Sequence, residues 1–237
     1  MTTINVNTIA PAGSTLTVGD SGDTIVAPEV KVNTVKDAGG NTLWVSNGSG
    51  TLSSVSGFGG ALNLISTQTI SGAASASITS GIDGTYKEYI IKWINLHPAT
   101  DGTWFQWQAS TDGGSNYNTT CTSTIFTAQH KEDGSGGQIN YNTGQDAAQS
   151  TGYIYTSGSY GNVADEAGCI NLHLFNPAST TYVKNWYLED QHLQGDQWSM
   201  NIFTAGYFNT TSAINAVSFK FESGNIDSGT LKLYGVS

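Results

Sequence analysis

From Leu64 to the end of the chain, short runs of alternating apolar and polar residues are cut apart by tight-turn signals. A period of two leaves room for little but an all-β fold. The cleanest run is Val217-Ser218-Phe219-Lys220-Phe221-Glu222, with apolar residues at odd positions and polar ones at even positions. Leu231-Lys232-Leu233-Tyr234 repeats the pattern after turn signals at Ser223-Gly224-Asn225 and Asp227-Ser228-Gly229. Asp83-Gly84, Asp101-Gly102, Asp112-Gly113-Gly114 and Asp133-Gly134 punctuate the other runs. The expected strands are 64–70, 86–95, 103–110, 119–129, 151–156, 169–175, 181–188, 200–208, 216–222 and 230–234. This many short strands at such spacing predict an antiparallel β-sandwich, jelly-roll-like, over 61–237. No segment carries the pattern of a helix of ordinary length.

The first 60 residues are built differently. Of six Trp, eleven Tyr and eight Phe, only Trp44 and Phe58 lie before Tyr86. Such a stretch is too poor in bulky side chains to close a core alone. Val6-Asn7-Thr8-Ile9 recurs as Val32-Asn33-Thr34-Val35, and Thr15-Leu16-Thr17-Val18 as Thr42-Leu43-Trp44-Val45. Each copy has the form strand, Gly turn, strand. Residues 1–60 are therefore expected to form an extended β arm or short shaft. Ile4, Val6, Ile9, Leu16, Val18, Ile25, Val32, Val35, Leu43, Trp44 and Val45 would be buried between copies of the chain or against another protein. Ser53–Gly60 has the composition of a linker.

Charge narrows the function. The formal net charge is −10 and every cation is a lysine. Without arginine, and with so few cations, the chain lacks what nucleic acids and anionic membrane surfaces are gripped with. No apolar run approaches the roughly 20 residues of a membrane helix, and the opening residues lack the pattern of a secretion signal. Cys121 and Cys169 are expected as reduced thiols.

Motifs of catalysis are missing: there is no nucleophile elbow, no HExxH, no CxxC and no phosphate loop. His97, His130, His173 and His192 have no neighbouring serine that marks a triad. Glu88, Glu132, Asp133, Asp165, Glu166, Glu189 and Asp190 fall in turns or at strand ends, where carboxylates are solvated. The Asp-Gly turns lack the alternating oxygen ligands of a calcium loop. Neither metal nor cofactor is expected. The aromatics say more. In Trp104-Phe105-Gln106-Trp107 alternate rings must face opposite sides of a sheet, so one side is an interface or a stacking platform. Trp104, Trp107, Tyr153, Tyr155 and Tyr160 are the candidate ligand-binding residues. The surrounding segment 133–160 is rich in Gly, Ser, Asn, Gln and Tyr, the make-up of recognition loops.

Three stretches carry a resemblance: the Thr-Ile-Asn-Val-Asn-Thr-Ile-Ala-Pro start, KVNTVKDAGGNTLWV at 31–45, and the Gly-Thr-Leu-Lys-Leu-Tyr-Gly-Val ending. They resemble small fibre, spike or capsid-decoration proteins of tailed bacteriophages, especially of marine bacteria. That resemblance implies a non-enzymatic virion protein, assembled in the host cytoplasm and displayed on the particle surface. It also implies a homotrimer held to capsid or tail proteins by its N-terminal arm. The head would bind a host-surface glycan. The alternatives are a decoration protein that stabilises the capsid and a polysaccharide depolymerase.

Overall fold

The computed structural model of the protein describes residues 34–46, 48–49, 52–55 and 61–237. The chain divides into two compact units, Met1–Phe58 and Gly59–Ser237. Among the described residues all regular structure is β-strand and every pairing is antiparallel.

In the first unit β1 (Thr34–Lys36), β2 (Thr42–Ser46) and β3 (Leu52–Val55) form a three-stranded meander. Its first turn is locked by Asp37, whose carboxylate accepts hydrogen bonds from Asn41 N at 2.8 Å and Asn41 Nδ2 at 3.0 Å. Val35 pairs with Trp44 across the strands. Val35, Leu43, Trp44 and Val45 are all only partly buried. Of the other residues expected to be shared between copies, Ile4, Val6, Ile9, Leu16, Val18, Ile25 and Val32 lie outside the described residues.

The second unit starts with β4 (Leu62–Ala73), β5 (Ala76–Ile78), β6 (Glu88–Pro98), β7 (Thr103–Ser110), β8 (Cys121–Lys131) and β9 (Gly137–Tyr141). It continues with β10 (Ile154–Tyr160), β11 (Gly168–Phe175), β12 (Lys184–Gln194), β13 (Trp198–Phe208), β14 (Ala216–Phe221) and β15 (Ile226–Val236). One sheet has four strands in the order β10-β7-β14-β5, and the other has eight in the order β4-β15-β6-β11-β12-β13-β8-β9. Set aside the hairpins β8–β9 and β12–β13, and two four-stranded sheets remain. In these the first strand pairs with the last (β4 with β15) and the second with the second-last (β5 with β14). This nested pairing is the jelly roll. The two hairpins are insertions, placed after β7 and after β11, and both extend the sheet beyond β11.

The core lies between the sheets. Trp93, Phe105, Trp107, Phe219 and Phe221 are at most 2% exposed, and each such ring stabilises the fold by about 1.5–3 kcal/mol through burial. Trp93 meets Phe105 edge-on at 5.5 Å and Phe219 at 5.7 Å. Trp107 of the short sheet meets Trp186 at 5.0 Å and Phe208 at 5.2 Å, which locks the inserted hairpin β12–β13 onto the jelly roll. The expected turn at Asp227-Ser228-Gly229 is instead part of β15, which bulges there. Gly229 presses its backbone against the Trp93 ring, where a Cβ would come within 3.2 Å of Cζ3. A glycine that reads as a turn is here a close approach inside a strand.

Two polar groups are held inside by the backbone or by each other. Lys184 is fully buried and donates from Nζ to the carbonyls of Tyr182 at 2.7 Å and Thr210 at 3.2 Å. Asp190 and His192 of β12 and Tyr160 of β10 form a buried cluster between the two sheets. At the surface, Asp112 takes hydrogen bonds from Ser110 Oγ at 2.6 Å, Asn116 N at 2.9 Å and Asn116 Nδ2 at 2.7 Å. These bonds, Ser110's first, hold its carboxyl down to about 2. The stability they contribute is present above the ordinary value of 3.8 and fades as pH falls through about 2. The oxygens of this Asp-Gly turn are thus occupied by the turn's own donors.

Both cysteines are free, Cys121 buried and Cys169 exposed. Burial pushes the Cys121 thiol up to about 12. A thiolate-directed reagent is expected to label Cys169 in the native protein and to reach Cys121 only after denaturation. Two rapidly labelled thiols under native conditions would contradict this packing.

Candidate functional site

The eight-stranded sheet is wider than its partner, so one side of it overhangs. Edge strand β10 packs across β12, β13 and β8. Here Thr127 and Gln129 of β8 lie opposite Ile202 and Met200 of β13, which with Ile125 and Trp198 form a small apolar cluster. A groove of about 290 Å³ runs along this step. Trp104 of β7 with Gly158 and Ser159 of β10 forms one wall. Thr127, Gln129, Asn142, Gln194, Trp198 and Met200 form the other. A second hollow of about 130 Å³, lined by Asp101, Gly102, Ser159, Gln194, Gly195 and Asp196, shares Ser159 and Gln194 with the first. The two are therefore adjacent.

Both tryptophans are fixed in place. Trp104 packs edge-to-face on Tyr155 at 5.8 Å, and Tyr155 is anchored by its hydroxyl to Glu222 Oε1 at 2.8 Å. Trp198 begins β13 and lies against the backbone of Gly136, where a Cβ would come within 2.6 Å of Cη2. A side chain at 136 would displace the indole. Asn142 donates from Nδ2 to Thr127 Oγ1 at 2.7 Å, and both residues line the groove. The side-chain amides of Gln129 and Gln194 have no hydrogen bond to the rest of the described chain. The groove thus offers two indoles set among a larger number of uncharged donors and acceptors.

The expected ligand residues divide. Trp104 lines the groove and is partly buried. Tyr155 supports it, and Tyr153 sits nearby under Lys220, whose Nζ is 4.5 Å from the ring centre. Trp107 and Tyr160 are corrections, because both are fully buried and present no surface to a ligand. Trp107 is on the core side of β7 together with Phe105, and Tyr160 is on the core side of β10. Trp198, Gln129, Asn142 and Gln194 were not singled out by sequence. Their visible signal is modest: an indole opening a strand, and amides at or near the ends of strands.

The outer face of the long sheet carries a second aromatic set, but it is spent on itself. Phe126 stacks on Phe203 at 5.4 Å, Phe203 on Tyr187 at 5.9 Å, and Tyr187 on His173 at 4.4 Å. With ring faces turned on one another, this ladder ties strands β8, β13, β12 and β11 together. His173 Nδ1 also meets Glu88 Oε1 at 2.6 Å, and His97 Nε2 meets the Val163 carbonyl at 3.2 Å. Glu166 accepts from Val163 N at 2.8 Å and Glu189 from Asn201 Nδ2 at 2.9 Å, so these carboxylates serve their own loops and strands. Among the described residues no group of three or more His, Cys, Asp or Glu is arranged to hold a metal ion, and no helix is long and apolar enough to cross a membrane. Compared with protein-family models, curated proteins and solved structures, the chain finds no match.

Proposed function

We propose that this chain is a non-enzymatic surface appendage of a tailed bacteriophage particle. In this reading the N-terminal residues hold three copies together and attach them to capsid or tail. The jelly-roll head, displayed on the virion surface after assembly in the host cytoplasm, recognises a glycan on the host surface. The observation that carries the reading is the contrast between the two units. Residues 61–237 enclose a complete aromatic core, whereas in the small N-terminal sheet Val35, Leu43, Trp44 and Val45 remain partly exposed. Apolar side chains left partly exposed on a small sheet are suited to being covered by companions. Three heads on one stalk would turn weak single contacts into avidity.

Full-length protein is expected to have the mass of a trimer in light scattering, and fluorescently labelled protein is expected to attach to host cells. A monomer at micromolar concentration would remove the stalk argument. Attachment to bare capsids and not to cells would make the chain a decoration protein. Release of reducing sugar from host polysaccharide would make it a depolymerase.

A further inference from the structure

We infer that the groove between β10 and the overhanging hairpins is the ligand site of the head, and that it takes a neutral glycan chain. This inference rests on the proposal that the head is the recognising part. Three features of the groove point to the ligand class.

Trp104 and Trp198 stand on opposite walls of one groove. The apolar C–H faces of pyranose rings pack on such indoles, as flat ligands do on aromatic platforms generally. In the same groove, Gln129 and Gln194 present amides that nothing in the described chain satisfies. An amide offers donor and acceptor side by side, which matches neighbouring sugar hydroxyls. The outer ladder of Phe126, Phe203, Tyr187 and His173 lacks this combination, because its ring faces are already stacked.

Charge then selects among glycans. No cation lines either hollow. Lys131 sits by one of the indoles, its Nζ 6.0 Å from the Trp198 ring centre and 3.9 Å from Asp133. Asp101 and Asp196 line the hollow beside the groove. A uronic acid laid along it would meet like charge with no partner, whereas a neutral sugar would not.

The test uses full-length protein and hexasaccharides of glucose, galactose, mannose and N-acetylglucosamine, with oligogalacturonate as the acidic probe. Binding is read by calorimetry and by quenching of tryptophan fluorescence. At least one neutral oligomer is expected to bind, and about tenfold or more tighter than oligogalacturonate. Trp104→Ala and Trp198→Ala are each expected to weaken that binding about tenfold or more, while Trp104→Phe stays within about threefold of the parent. Gln194→Leu, which keeps the side chain's bulk, is expected to weaken it about fivefold. Circular dichroism confirms that each variant is folded. The inference is overturned if no neutral oligomer binds, if the acidic oligomer binds tightest, or if folded Trp104→Ala and Trp198→Ala bind like the parent. Neutral glycans bound in the groove by a protein that attaches to no cell would leave this site standing and sink the appendage reading. Attachment to cells that survives both tryptophan substitutions would do the reverse.

Discussion

Replacing Asp190 with alanine is expected to cost the head about 3–5 kcal/mol, because it leaves a buried cluster without its acceptor. The carboxylate is 0% exposed. It accepts from Tyr160 Oη at 3.0 and 2.9 Å and meets His192 Nδ1 at 2.9 Å. The Tyr160 and His192 rings stack at 4.1 Å, so both donors are committed to one place. Burial pushes the Asp190 carboxyl up, and His192 is the main group pulling it back. Burial, and then the charge of Asp190, lifts the Tyr160 hydroxyl well above its ordinary value, which keeps it a donor. Alanine removes the acceptor and opens a void, stranding one hydroxyl and one ring N–H. Asparagine keeps the size and one acceptor oxygen, and its expected cost is smaller, about 1–2 kcal/mol. Urea unfolding followed by far-UV circular dichroism measures both. An alanine variant within about 1 kcal/mol of the parent would show that the cluster contributes little.

The second large effect separates two tryptophans three residues apart. Trp107→Ala is expected to destabilise the head by about 3–5 kcal/mol, since the ring is fully buried and bridges the short sheet to Trp186 and Phe208. Trp107→Phe is expected to cost less than half as much. It keeps most of the aromatic contact and removes an indole N–H that has no hydrogen-bond partner. Trp104→Ala is expected to change stability by about 1 kcal/mol or less, because that ring lies at the groove. Thermal unfolding of the three variants side by side checks the ordering. Equal losses for Trp104→Ala and Trp107→Ala would mean that the two faces of β7 are not divided as described.

That division shows how far local pattern reaches. Strand β7 is legible in the sequence because ring and amide alternate through Phe105-Gln106-Trp107-Gln108. Alternation says which residues share a face, but not which face is covered. Trp107 therefore passed as a surface candidate until the second sheet was seen lying over it. Tyr155 and Tyr160 are five positions apart on one strand, so the same rule sends them to opposite faces, one to the groove's edge and one to the core.

Two strands escaped notice for different reasons. β5 is three residues long in a Ser- and Ala-rich stretch, and β9 is exposed at every position, so burial left no mark on its composition. The nested pairing of first strand with last was beyond reach, because it joins β4 to β15 across almost the whole unit. The groove was hidden likewise, since its walls come from β7, β8, β10, β12 and β13 and no short window contains them.

The pairing of β4 with β15 sets how the head would respond to traction. Leu62 lies opposite Val236, and Ser237 N bonds the Ala61 carbonyl at 3.0 Å, so the two ends of the unit sit side by side. Pulled apart by those ends, the ladder would open like a zipper, one rung after another, at low force. A load that entered at the ligand groove and left through residue 61 alone would instead cross the sheet from β12 to β4 and be shared along whole strands at every step. Tethered through residue 61 and loaded at the groove, the head would keep this seam closed.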